Sequence, residues 1–351
     1  MCAMQGLPSW LLDIGPLDAA SMDAARQRLD SLTKPRGSLG RLEELYVRIA
    51  GITANPQPRP GRKVIVVMAG DHGVTEEGVS AFPSSVTPQM VLNFVSGGAA
   101  INVLARHAGA EVTVVDAGVA IDVPGGGYLR RNVRRGTANM CRGPAMTRDE
   151  AVRAIMVGSE VARDEVARGA TLIGTGDMGI GNTTASTAVL CAITGLPPAR
   201  VAGRGTGVDD AGLARKIAAV QRALEVNLPS SSDAVDIVHK VGGLEIGALA
   251  GLILGAAALR TPAVIDGFIS TIAACLAALL SPASRDYMIS SHLSAEPGHK
   301  AALDVLGLSP LVSLDMRLGE GTGTALAMSL CDASLKIAAE MATFEEAGVS
   351  R

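Results

Sequence analysis

The sequence predicts a doubly wound α/β fold built on a mostly parallel sheet. Three observations carry this. Five short runs rich in β-branched residues alternate with helical stretches. Each run ends in a cluster of polar residues or glycines. The composition is 48% apolar with 41 glycines, and only eight of 351 residues are aromatic (one Trp, three Tyr, four Phe). That mixture suits helices packed closely on a sheet through tight strand-to-helix turns.

Before the first run, "DAARQRLDSL" and "TKPRGSLGRLEELYVRIAGI" read as charged amphipathic helices parted by Pro35-Arg36-Gly37. "ANPQPRPGRK" follows as a Pro-rich loop and linker. The runs then come in order. "KVIVVMAGDHG" (Lys63–Gly73) ends in Asp71-His72, and "EVTVVDAGV" (Glu111–Val119) ends in Asp116. "ATLIGTGDMGIGNTT" (Ala170–Thr184) ends in a glycine loop containing Asp177. "PAVIDGF" (Pro262–Phe268) ends in Asp266, and "PLVSLDMRLGEGTG" (Pro310–Gly323) ends in Glu320. In such a sheet these loops share the carboxyl edge, where ligands bind.

Charge and composition exclude several classes. A net charge of −3 from 31 basic and 34 acidic residues, with so few aromatics, speaks against a nucleic-acid surface. The cysteines, Cys2, Cys141, Cys191, Cys275 and Cys331, are odd in number and form no CxxC pair. They read as reduced core residues of a cytoplasmic protein. The first twenty residues lack a basic region and are broken by prolines and Asp13, so no signal peptide is read. The apolar segment Ile246–Leu259 is too short to cross a bilayer and reads as a buried helix.

Gly174-Thr175-Gly176-Asp177-Met178-Gly179 matches GxGxxG after a strand, yet the ribose-binding acid expected roughly 20 residues on is missing. Asn182 stands where a Walker lysine is needed. What remains is a glycine loop opening a helix, suited to a phosphate or carboxylate, or a plain turn capped by Asn182 or a threonine. "GRGTGVDDAGLARK" is a second such loop, with Lys216 placed either to neutralise a phosphate or as a solvated helix charge. "SHLSAEPGHKAAL" reads as a loop in which Pro297-Gly298 breaks the spacing a metal pair would need, with Ser291 or Ser294 near an anion. "GVSAFPSSVTPQMVLNFVSGGAAINVLARHAG" reads as a loop and one apolar helix. There Phe82, Pro83 and Met90 form a flat slot or ordinary helix-start packing, with Gln89 as a hydrogen-bonding group. Asp71-His72 reads as a metal or acid–base pair or, since no other histidine or cysteine has matching spacing, as structural.

Taken in order, "TKPRGSLGRLE", "AGDHGV", the Gly78–Arg106 segment, "GTANM", "GTGDMGIGNTT", "GRGTGVDD", "GGLEIGALAG" and "RLGEGTGTALA" resemble the nicotinate-nucleotide–dimethylbenzimidazole phosphoribosyltransferases. The resemblance runs from about Thr33 to about Leu330. It implies a homodimer with a Rossmann-like large domain over residues 61–345, and a small, mainly helical domain to which residues 1–60 contribute. It also implies transfer of ribose 5-phosphate from nicotinate mononucleotide to 5,6-dimethylbenzimidazole without a metal or redox cofactor. As one benzimidazole nitrogen attacks C1′, the other N–H becomes acidic and a carboxylate can take its proton. The resemblance assigns that role to Glu320. It places Ser80, Pro83 and Gln89 along the base slot, with Met178 and Leu318 as apolar neighbours. Gly176, Asp177, Gly179, Asn182, Thr183, Gly203, Gly205, Lys216 and Ser291 are expected at the phosphate and nicotinate end. Where the family pattern is expected to read Gly-Glu-Met-Gly, this chain has Asp177, one methylene shorter, so its contact with substrate is expected to be longer or through water.

A dinucleotide oxidoreductase, a PRPP-dependent transferase and a non-catalytic nucleotide sensor are the competing readings. The missing ribose acid argues against the first. The lack of a strand ending in paired acids argues against the second. Turnover would exclude the third.

Overall fold

Six parallel strands form one sheet in the computed structural model, which describes residues 6–350. They are β1 (Arg62–Gly70), β2 (Ala110–Gly118), β3 (Leu129–Arg130), β4 (Ala170–Met178), β5 (Ala263–Ile265) and β6 (Met288–Ser290). Their order is β3-β2-β1-β4-β5-β6 and every pairing is parallel. This 3-2-1-4-5-6 order is that of a Rossmann sheet. The central strands read as continuous apolar runs because both faces are covered. Along β1, Val64, Val66 and Met68 enter one core, while Ile65, Val67 and Ala69 enter the other.

The first core is closed by the helices Arg148–Ala167, Leu244–Ala258 and Phe268–Leu280. The second is closed by Ala19–Ser31, Arg41–Thr53, Val86–Val95, Ala100–Ala108 and Thr322–Glu340. The two N-terminal helices meet across the Pro35-Arg36-Gly37 break as expected, and Leu45 and Ile49 share a core with Leu335 of the C-terminal helix. The apolar segment read as a buried helix is one: Leu244 through Ala257 are all buried. Among the described residues no helix is long and apolar enough to cross a membrane. Cys141, Cys191, Cys275 and Cys331 are buried free thiols, and Cys2 lies outside the described residues.

Several local expectations are corrected. The fifth run does not join the main sheet: it supplies only β8 (Val312–Ser313), which pairs with β7 (His292–Leu293) in a separate two-stranded sheet. The Gly78–Gly109 stretch carries two helices, Val86–Val95 and Ala100–Ala108, because Ser96-Gly97-Gly98 ends the first. Pro297-Gly298 starts a helix, Pro297–Leu306, since proline at the first helical position gives up only an N–H that has no partner there anyway.

Candidate active site

A cavity of about 360 Å³ opens beyond the carboxyl ends of β4 and β5. Of the fifteen residues expected at the site, eight line it: Asp177, Met178, Gly179, Asn182, Thr183, Gly205, Leu318 and Glu320. Four sit just behind the lining. Gly176 packs against Glu320, where a Cβ would lie 2.5 Å from the Glu320 carbonyl oxygen. Lys216 donates from Nζ to Thr183 Oγ1 at 2.8 Å and to the Gly203 carbonyl at 3.0 Å. Ser291 Oγ lies 3.0 Å from Nδ1 of His292, whose ring does line the cavity. Ser80, Pro83 and Gln89 are outside the lining; Pro83 and Gln89 are exposed. Their neighbours Phe82, Val86 and Met90 line it instead, the last two one helical turn apart on one face.

Glu320 sits in a strained turn. It has φ +62° between Gly319 at +86° and Gly321 at +91°, three successive left-handed residues of which only the flanking pair are glycine. A non-glycine residue held there costs on the order of 1–3 kcal/mol, which the surroundings must offset. They do so through Asp266 at the end of β5. Its Oδ2 accepts the Gly321 N–H and its Oδ1 the Thr324 N–H, each at 3.0 Å. Asp266 thereby caps the helix Thr322–Glu340 from another element, while Gly321 occupies the cap position itself. Glu320 is therefore neither the cap nor a solvated charge: it is 7% exposed and faces the cavity.

Electrostatics separate Glu320 from Asp177, two of the carboxyls that line the cavity. Burial raises Glu320 above its ordinary range, and the nearby Asp266 charge adds to this, against a long 3.4 Å hydrogen bond from the Ile101 N–H. That N–H belongs to the first turn of Ala100–Ala108, an end that favours anions. Asp177 is pushed well above its usual value, first by burial, then by the charges of Asp266 and Glu245, with Glu320 adding to them. Its Oδ2 accepts from Asn182 at 3.0 Å and its Oδ1 has no partner. Asn182 is thus a donor to Asp177 and not a helix cap, since Gly181 holds the cap position. Of the pair, Glu320 is the one free to ionise first and accept a proton.

The other edge residues separate by strand. His72 Nε2 and Glu245 Oε1 lie 2.6 Å apart, both fully buried behind the Gly179 turn, so Asp71-His72 is structural. Asp116, on β2 and two strands away from β4, accepts from Val119 N and Asn132 Nδ2 and stays clear of the cavity. Behind Thr183, Lys216 is 1% exposed, and burial lowers it to about 8 despite the Glu296 charge. Burial and the neighbouring His292 lower His299 to about 3, so it is neutral and accepts the Ser294 N–H at Nδ1. Arg317, His292, Glu296 and Thr206 also line the cavity. The sequence motifs carry no sign of Arg317 or Thr206 as cavity residues, and offer His292 and Glu296 only as metal ligands whose spacing fails.

The sequence profile of a family described as phosphoribosyltransferase matches residues 14–349. A protein of Chloroflexus aggregans named nicotinate-nucleotide–dimethylbenzimidazole phosphoribosyltransferase is 61% identical over 338 residues, 96% of each chain. One of the same name from Desulforudis audaxviator is 58% identical over 339 residues, again 96% of each. The crystal structure of CobT from Thermus thermophilus superposes with a TM-score of 0.91 at 51% identity, covering 95% of this chain and 99% of that one. On the sheet order, the buried Glu320 turn and these likenesses together, the chain belongs to the nicotinate-nucleotide–dimethylbenzimidazole phosphoribosyltransferase family.

Proposed function

We propose that the protein moves ribose 5-phosphate from nicotinate mononucleotide to 5,6-dimethylbenzimidazole, releasing nicotinate and leaving α-ribazole 5′-phosphate, with Glu320 as general base. The observation that carries this reading is a buried, left-handed glutamate held between two glycines at the cavity. One benzimidazole nitrogen attacks C1′ from the face opposite the departing nicotinate, which inverts β to α. The C1′–N bond to nicotinate breaks and its electron pair returns to the ring, neutralising the pyridinium, so the leaving group needs no proton. The proton of the other benzimidazole nitrogen passes to Glu320. Phe82, Met90, Met178 and Leu318 supply apolar surface for the flat base. Incubation with both substrates, followed by chromatography, should show nicotinate and α-ribazole phosphate appearing in equal amounts; no turnover would refute the assignment.

In the same reading Lys216 and the Gly203–Gly205 backbone hold the 5′-phosphate. Only the protonated lysine attracts it. With its pKa lowered to about 8, nucleotide affinity should fall as pH rises through that value. The KM for nicotinate mononucleotide measured from pH 6 to pH 10 should climb above about pH 8, and a flat profile would remove Lys216 from the phosphate site. The protein acts as a cytoplasmic homodimer on this reading. Light scattering should give twice the 35.7 kDa chain mass, and a monomer would contradict it.

A further inference from the structure

The loop from Gly203 to Val208 is tied to three parts of the cavity wall. Inward, Lys216 donates to the Gly203 carbonyl, and the Gly205 N–H donates to Glu296 Oε1 at 3.1 Å. Toward the Glu320 turn, Arg317 Nη1 donates to the Gly205 carbonyl at 3.0 Å. Outward, Thr206 Oγ1 accepts the Ala81 N–H at 3.1 Å and lies 3.3 Å from Ser80 Oγ, which itself accepts the Phe82 N–H at 3.2 Å. Arg215 Nε, from the helix that follows, donates to the Gly78 carbonyl at 3.2 Å. The loop that meets the lysine therefore also grips the segment bearing Phe82, an exposed ring on the cavity rim.

We propose that Thr206 is a positioning residue that couples nucleotide binding at the Gly203–Val208 loop to ordering of the base slot at residues 78–85. The inference rests on the placement of phosphate near Lys216 and of the base against Phe82 and Met90. The Thr206 bonds are solvent-exposed, so water competes with them. A phosphate bound against the Gly203–Gly205 backbone adds a further tie to the loop and holds Thr206 in place for Ala81 and Ser80. Phe82 then stands ready for a flat ring before it arrives. Linkage makes the effect mutual, so the base raises affinity for the phosphate ligand by the same factor.

Ribose 5-phosphate carries the phosphate but no leaving group, so both ligands can be studied together without turnover. Titration of 5,6-dimethylbenzimidazole into the full-length protein by calorimetry should show at least about 5-fold tighter binding when ribose 5-phosphate is saturating. Thr206→Val should bring that ratio close to one, and Thr206→Ser, which keeps the hydroxyl, should restore it. A wild type with no gain, or a valine variant that keeps the gain, would overturn the inference. Lys216→Met separates this from the site assignment. Unchanged ribose 5-phosphate affinity in that variant overturns the phosphate placement and the coupling with it. Weakened affinity there, with full coupling in Thr206→Val, overturns only the Thr206 link.

Discussion

Glu320→Ala should turn over at least about 100-fold more slowly than the wild type, with nucleotide affinity changed far less. The carboxylate lines the cavity, while the groups assigned to phosphate, Lys216 and Gly203, sit behind the lining beside Thr183. Its removal therefore takes away proton acceptance and leaves the phosphate contacts in place. Glu320→Gln should lose nearly as much, because the amide keeps shape and hydrogen bonding but cannot hold the proton. Steady-state kinetics with dimethylbenzimidazole decide this: a fall confined to KM, or near-normal kcat, would remove Glu320 as the base.

Asp266→Asn should lower kcat by about 10- to 100-fold, because displacement of a catalytic group by about 1 Å costs that order. Asp266 touches no open part of the cavity, yet its two oxygens hold the Gly321 and Thr324 N–H groups that fix the Glu320 turn. An asparagine offers one acceptor and turns its own N–H₂ against the other donor. Hydrogen bonds to a buried charge are worth about 1.5–3 kcal/mol, so the melting temperature should fall as well. A second readout distinguishes positioning from general destabilisation. Asp266 helps to raise Glu320, so neutralising it should lower the Glu320 pKa and move the acid limb of kcat to lower pH. Unchanged kcat with an unmoved acid limb would contradict this role.

The parts of the fold legible in the sequence were those whose signal is local. β1, β2 and β4 are nine residues each, long enough for a buried apolar run to show in the sequence. β3 and β6 lack a β-branched run like the Ala263–Ile265 one of β5, and their strand character comes from pairing with β2 and β5. β8 looked like the other runs and lies elsewhere, since register against β7 is a tertiary choice. At the site, the glycines on both sides mark Glu320 as sitting on an unusual backbone, while its role as base comes from the family resemblance. The cap of its helix was not legible, since the acceptor comes from residue 266, more than fifty positions earlier. Asp266 was seen as an edge residue, but no spacing shows which helix it holds. Likewise the spacing of His292 and Glu296 shows only a loop, and it is the folded chain that turns them toward the cavity.

The most direct measurement is the pH dependence of kcat for the wild type and Glu320→Gln, with nicotinate release followed at saturating substrates. A buried general base with a raised pKa must lose its proton before it can work, so the rate should fall on the acid side at a pH above the ordinary carboxylate value of 4.5. In the glutamine variant the residual rate should lack the limb that belongs to Glu320. An identical acid limb in both proteins, or a glutamine variant within a few-fold of wild type, would contradict proton transfer to Glu320.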